Sequence, residues 1–519
     1  MTSRSSVYKK LEKFNFSVVA SVIDLNSELL SLSDHEKKNI YEKICCPAFA
    51  EHLTTAVKCK HASFPLLCEL FFDFPELQES PSRLFENPVE AFLILLNTLK
   101  KCKLLTYRLL VCVALHDKID CPLDSKENNH RKLKLALQAF QPECNIKMTK
   151  EELVEEFKEF VKETKWLKKL KESNFYTFQH KFVHEIVAHH YGKNHIDGLL
   201  TEMGSNFVAE KIRLDDESER NADELFLDVN ASKLANRLFH DIHYHINYFQ
   251  VFTNNCWKNI SFCDAFQSEL QGKDKSVIDD LFWKCQNIKR STRLLSNRTD
   301  KKYISLKNDD SEWFRHKLLE IRTETISKNR IEYELKIKAV SWVFGYGIHQ
   351  IFPSLLTDQM NAKKMTHRWE IDSSEMIRFL MLAIFSKSIK CFERALDLAN
   401  FKNLSKICIS NNMECDMRHK HNNFTPLTAA CYTGFSKAIA ELVNKGSDVN
   451  YMDKNGSTPL VLACRFASFS DTTFLIDKGA KLCCTSGNGV SPLIAAVMGK
   501  NVELVAFLLK RTHRSTNLT

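Results

Sequence analysis

Apolar residues recur at helical spacing over most of the chain. In "MTKEELVEEFKEFVKE", Leu153, Val154, Phe157, Phe160 and Val161 form one stripe, and Thr149 with Glu152 makes a capping box ahead of it. Ser33 with Glu36 makes a second box before "DHEKKNIYEKI". "KETKWLKKLKE" reads as a basic amphipathic helix with Trp166, Leu167 and Leu170 inward and a solvated charged face. "FSVVASVIDLNS" is the exception: its short, β-branched apolar run predicts a strand. In "AFLILLNTLKKCKLLTYRLLVCVALHD", Lys100, Lys101, Lys103 and Arg108 interrupt the apolar run before it reaches the roughly 18 residues of a membrane span. The pattern predicts a mainly α protein, with the first 285 or so residues mostly helical.

Toward the C-terminus the pattern becomes periodic. "FTPLTAACYTG", "STPLVLACRFA" and "VSPLIAAVMGK" place Pro426, Pro459 and Pro492 at intervals of 33, and Gly446 and Gly479 also differ by 33. Seven of the 13 glycines lie in this tail. Thr or Ser suits the helix cap and Pro its first position. Ala429, Ala430, Ala463, Cys464, Ala495 and Ala496 are small enough for neighbouring helices to approach. Second helices follow in "ELVNKG", "FLIDKG" and "LVAFLLK", the first two ended by glycine. A 33-residue period opening on T-P-L resembles ankyrin repeats, over roughly 422–510. The usual histidine after T-P-L is replaced by Thr428, Val461 and Ile494. "WVFGYGIHQIFPSLLTDQ" and "MIRFLMLAIFSKSIKCFERALDL" look like degenerate or capping helix pairs of the same kind. The polar stretch 287–313 reads as a linker.

Composition narrows the function. The 519 residues are 44% hydrophobic and 26% charged, as in a soluble globular protein of several domains. Eighteen cysteines without a C-x-x-C, several in apolar helical contexts, point to a reducing, cytoplasmic setting rather than a disulfide scaffold. The N-terminus has no apolar signal core. The net charge of +9 comes from scattered Lys and Arg, which favours a solvated surface over a nucleic-acid footprint.

Catalytic motifs are missing. Gly192-Lys193, Gly272-Lys273 and Gly499-Lys500 are each followed by Asn or Asp, where a P-loop needs Ser or Thr, and Val187, Gln267 and Ile494 stand where its first glycine belongs. "FQHKFVHEIVAHHYG" (178–192) puts four histidines into one apolar helix, with His180 and His184 on one face. It is not a zinc-protease helix, because Ala188 occupies the second ligand position of H-E-x-x-H and His189 is one residue too far. Three readings stay open for these histidines: structural, phosphate-sensing and metal-binding. An i,i+4 pair alone lacks the remaining zinc ligands. His240, His243 and His245 match no standard metal spacing and read as a surface helix.

"YTFQHKFVHEIVAHHYG" resembles the motif that closes the winged-helix domain of STAND signalling NTPases of the NACHT type, through Tyr176, Phe178, His180, Phe182, Glu185, Ala188 and Tyr191. "HASFPLLCELFF" is similar to the segment around that family's G-x-P motif, with Pro65 at the proline and Ser63 at the glycine. The order of segments between about residues 14 and 285, ahead of ankyrin repeats, resembles invertebrate novel-STAND proteins. The resemblance implies a vestigial nucleotide-sensing role for His180, with Pro65 near the nucleotide. The family's Walker A and B segments would precede residue 14, and either an incomplete gene model or a paralogue lacking the P-loop fits this.

The expected organisation is a remnant of an NTPase or helical arm over 1–62, a helical and winged-helix-like region over 63–200, and a helical region over 201–286. The 287–313 linker, degenerate helical repeats over 314–421 and an α-solenoid of ankyrin repeats over 422–519 follow. The leading expectation is a non-enzymatic cytoplasmic signalling or scaffold protein, without cofactor or metal, that binds a protein and oligomerises with STAND-type partners. The alternatives are part of an ATP-switched sensor of innate-immune type and a winged-helix nucleic-acid binder; no membrane contact is expected. The residues expected to bind the partner are the turn tips Met452, Asp453, Lys454 and Asn455 and the inner-helix residues Tyr432, Arg465, Phe466 and Met498.

Overall fold

Helices carry the fold, as the apolar spacing predicts. A computed structural model describes residues 32–45, 52–59, 64–116, 119–120, 157, 159–162, 165–170, 175–215, 225–245, 248–284, 286–293, 321–327, 330–355, 373–401, 425–452, 456–486 and 489–516. The chain divides into two units, Met1–Arg237 and Leu238–Thr519.

The first unit opens with α1 (Asp34–Ile44), whose N-terminus carries the expected Ser33–Glu36 capping box. Then come α2 (Leu53–Val57), α3 (Phe64–Asp73), α4 (Pro81–Glu86), α5 (Pro88–Cys102) and α6 (Leu104–His116). Helix α6 is the centre: every residue from Tyr107 to Leu115 is buried. A helix buried all round needs apolar residues on every face, and "YRLLVCVAL" supplies them. The short strands β1 (Ile119–Asp120), β2 (Leu167–Lys169) and β3 (Phe175–Phe178) form an antiparallel sheet in the order β1-β3-β2. Helix α7 (Lys181–Gly192) follows β3 and packs on α5 and α6. Beyond it lie α8 (Ile196–Glu202), α9 (Ser205–Lys211), a parallel pair of β4 (Ile212–Leu214) and β5 (Leu227–Val229), and α10 (Ala231–His240), within which the boundary between the units falls.

The basic segment expected to be a helix contains β2 instead. Trp166 and Leu167 point inward as expected, but Leu167 pairs with Phe178 and Lys169 with Tyr176. The apolar spacing at 166, 167 and 170 is compatible with a helix. The decision comes from "FYTF", an aromatic strand former with Tyr176 and Phe178 buried in alternation. His180 is corrected too. It precedes the first turn of α7 with extended φ −118° and ψ 131°, so it shares no helical face with His184. The strand expected at 16–27 and the capping box at Thr149 lie outside the described residues.

In the second unit a π-helical turn (Asp241–His245) leads to α11 (Tyr248–Phe252), α12 (Ile260–Gln271) and α13 (Lys275–Trp283). Strands β6 (Gln286–Arg293), β7 (Ile321–Ser327) and β8 (Arg330–Ile337) form an antiparallel sheet in the order β6-β8-β7. Part of the stretch read as a linker is therefore strand, and 321–337, read as helical repeat, is a hairpin. Its alternating pattern was visible in Ile331, Tyr333, Leu335 and Ile337. Helices α14 (Ala339–Tyr346) and α15 (Phe352–Leu355) follow.

Four helix pairs complete the unit: α16 (Ser373–Ser386) with α17 (Ile389–Phe401), α18 (Pro426–Thr433) with α19 (Ser436–Asn444), α20 (Pro459–Phe466) with α21 (Phe469–Asp477), and α22 (Pro492–Met498) with α23 (Val502–Thr516). One row runs α14, α16, α18, α20, α22; α17, α19 and α21 form a second row beside it. Thr425, Thr458 and Ser491 each accept a hydrogen bond from the backbone amide three residues on, with proline next to the cap. The six small residues named above are all buried at the seam between inner helices. Gly446 and Gly479 end the second helices at φ +93° and +94°, a conformation that disfavours a Cβ.

Candidate functional site

Two places carry the residues singled out above: the β3–α7 junction in the first unit and the inner row in the second.

At the junction, Asp73 ends α3, where the helix dipole disfavours an anion. Three donors offset this. Lys165 Nζ, Gln179 Nε2 and His180 Nε2 each donate to its carboxylate at 3.1 Å. The other ring nitrogen of His180 stands 3.9 Å from Glu69 Oε2. His180 is thus flanked by two carboxylates from one helix. Pro65 is exposed in the first turn of the same helix, eight residues before Asp73, which is about 12 Å along the axis. The fold does not bring Pro65 and His180 together.

The other three histidines of the motif go to three different places. His184 Nε2 donates to Ala114 O at 2.8 Å, on α6. His189 Nε2 donates to Phe226 O at 3.1 Å. His190 Nε2 donates to Asn97 Oδ1 at 3.0 Å, and its Nδ1 accepts from the Tyr107 hydroxyl at 2.8 Å. Burial pushes both His189 and His190 down to about 4, helped by Lys193 near each and Lys100 near His190, so both are neutral at pH 7. Each ring serves a separate structural contact. Among the described residues, no group of three or more His, Cys, Asp or Glu is arranged to hold a metal. Glu185, also buried, meets Lys211 at 2.8 Å and Lys181 at 3.6 Å. In the second unit, the His240 and His243 rings both lie against Tyr244, at 4.6 and 4.3 Å. The side chain of His245 lies outside the described residues.

The inner row offers a different surface. Tyr432, Arg465 and Met498 occupy one repeat position, six residues after each proline, on α18, α20 and α22. Arg465 and Phe466 are exposed, the latter at 41%; Met498 is 46% exposed and Tyr432 half-buried. The Phe466 ring lies 4.8 Å from that of Tyr432, and the Arg465 guanidinium lies 4.9 Å over the Phe466 ring. Tyr432, Phe466 and Arg465 therefore form one aromatic-cationic ladder across α18 and α20, and Met498 is exposed at the same repeat position on α22. Met452 is 52% exposed in the turn after α19, and Asp453, Lys454 and Asn455 lie outside the described residues.

Side chains that sequence reasoning passed over hold this surface in register. Asn450 donates from Nδ2 to Gly479 O at 3.0 Å and accepts at Oδ1 from Lys481 N at 2.9 Å, stitching one repeat to the next. Asp471 accepts from Ser436 Oγ of the preceding repeat at 2.8 Å while capping its own helix. Neither residue recurs at the 33-residue period, so no repeat signal marks it. Asp73 was missed because it is 107 positions from His180.

Residues 380–486 match the family model for ankyrin repeats, in three copies. The match begins within α16, upstream of the first T-P-L, and ends before α22. No curated protein matches the chain. The chain thus carries ankyrin repeats toward its C-terminus, and the pair α22–α23 continues their inner row beyond the matched span.

Proposed function

We propose that this chain is a non-enzymatic, cytoplasmic signalling or scaffold protein that binds a protein partner through its ankyrin repeats. The observation that carries the reading is the ladder of Tyr432, Phe466 and Arg465 on two successive inner helices, with Met498 exposed at the same repeat position on the third. Repeat stacks use such surfaces for recognition, and exposed aromatic and Arg side chains are the usual anchors. Replacing Tyr432, Arg465 and Met498 together with Ala should abolish capture of a partner while circular dichroism and melting temperature stay near wild type. A partner that survives the triple change, or deletion of residues 422–519, would move binding to the helical half ahead of the repeats. The cytoplasmic assignment is supported by the thiols: nine of the twelve described free cysteines are buried, and burial pushes Cys464 up to about 12.

The first unit would act as the regulatory half of a STAND-type switch and pack with STAND-type partners. Its support is the segment resemblance together with His180, which stands where the β2–β3 hairpin meets α7 and already engages an anion, Asp73. The chain alone is expected to bind neither ATP nor ADP tightly, because it has no glycine-rich cradle for phosphates. Calorimetry with both nucleotides tests this; tight binding with turnover overturns the non-enzyme reading.

A further inference from the structure

The inner helices α18, α20 and α22 read "PLTAACYT", "PLVLACRF" and "PLIAAVM", and Arg465 is their one charged residue. It is exposed, and among the described residues no carboxylate lies within salt-bridge distance of it. Its guanidinium lies over the Phe466 ring at 4.9 Å, and Phe466 lies against Tyr432 at 4.8 Å. Stacking uses the flat face of a guanidinium and leaves its edge, a planar fork of N–H donors, for an acceptor. An arginine held this way gives up less rotamer freedom when it binds.

Resting on the ankyrin-binding reading above, we infer that the inner row takes an extended acidic-apolar peptide, with one carboxylate on Arg465 and apolar side chains on either side. The charge is complementary to a single anion. Phosphate recognition uses clusters of arginines, and the three inner helices supply a single one, which fits a carboxylate. The flanks are apolar: Tyr432 and Phe466 on one side, Met498 at 46% exposure on the other. Neighbouring helices pack about 8–10 Å apart, so the three positions span roughly 20 Å. An extended chain advances about 3.3 Å per residue, so it places an apolar residue about three positions before the acid and another about three after.

The test starts from the full chain, panned against a phage library of random 12-residue peptides. Enriched peptides are expected to carry Asp or Glu flanked by apolar residues at about three positions on each side. The most enriched peptide, synthesised with a fluorophore, is then titrated by polarisation. Arg465→Gln is expected to weaken it about 10- to 100-fold, the loss of a charge-assisted hydrogen-bonded pair. Lys437→Gln, on α19 and paired with Glu441, leaves it unchanged. Arg465→Glu with a Lys-substituted peptide restores binding, a result that misfolding cannot produce. Enriched peptides without an acid, lost on Tyr432→Ala with Met498→Ala but indifferent to Arg465→Gln, overturn this inference and leave the ankyrin surface standing. Peptides that bind every variant equally overturn both. Absence of any enriched peptide, or a phosphoserine in place of the acid binding more than tenfold tighter, also counts against the carboxylate.

Discussion

Replacing three glycines by Ala, one at a time, separates the two forces that space the inner helices. Gly446 has φ +93° and nothing within 4 Å of a built Cβ, so Gly446→Ala costs backbone strain alone, about 1–2 kcal/mol. Gly499 is the reverse case. Its φ is −75°, which any residue adopts, but a Cβ would lie 2.6 Å from Arg465 O and 3.1 Å from Arg465 C and Cα. Those are backbone atoms of the neighbouring inner helix and cannot swing away, so Gly499→Ala is an overpacking change of about 1–3 kcal/mol. Gly434 combines both: φ +64°, and a Cβ 2.7 Å from Phe466 O. Gly434→Ala should therefore cost about 2–5 kcal/mol, near the sum of the other two. A chain of this size is not expected to unfold in one step, so a single melting curve is the wrong measure. Hydrogen exchange of the α20 amides, followed by mass spectrometry, reads the local cost, with each tenfold loss of protection about 1.4 kcal/mol. Equal costs for Gly434→Ala and Gly446→Ala, or no measurable cost for Gly499→Ala, would refute close backbone approach as the spacer. Gly434→Ala and Gly499→Ala would also widen the step between Tyr432, Arg465 and Met498, so peptide affinity should fall with these two and stay unchanged in Gly446→Ala.

Stability should fall on acidification through the histidines of α7. Buried His189 and His190 have folded values near 4 against 6.5 when exposed, so the unfolded chain binds more protons between those limits. Their contribution is complete above about pH 6.5 and is lost as pH drops toward 4. With partial solvent access the slope is about 0.5–1 kcal/mol per pH unit for each, and it should flatten in a His189→Gln/His190→Gln variant followed by exchange of the α7 amides between pH 7 and 4.5. Asp73→Asn should loosen the end of α3 from the β2–β3 hairpin by about 1–3 kcal/mol, because it weakens the acceptor for three donors; unchanged exchange over 165–180 would contradict this. Cys464→Asp should cost more than about 3 kcal/mol, because an unpaired charge would be buried between inner helices, whereas Val497→Asp at the same repeat position, 58% exposed, should stay within about 0.5 kcal/mol. Hydrogen exchange of the α20 and α22 amides separates the two.

Three properties were determined by the sequence alone: helical class, the repeat period and the capping of each inner helix. Each depends on residues within a few positions of one another. Thr425 caps the helix that Pro426 begins, and a stripe such as Leu504 with Leu508 is set by the 3.6-residue turn. Tertiary structure decided what depends on distant partners. "LKK" (167–169) is strand rather than helix because "FYTF" pairs with it, and only the fold supplies that edge. The hairpin at 321–337 interrupts what looked like a run of degenerate helices, although its alternation could have been read locally. His180 looked like one of four histidines on a helix, but Asp73, from another helix, captures it ahead of the first turn. Position within the repeat could not give burial either. Cys431 and Cys464 are buried and Val497 is exposed at the same repeat position, because burial depends on whether a neighbouring inner helix lies over the residue. Tyr432, Phe466 and Arg465 were legible as surface residues of inner helices. Their stacking into one ladder, with Arg465 left to meet an anion, required the spacing of helices 33 residues apart in sequence and adjacent in space.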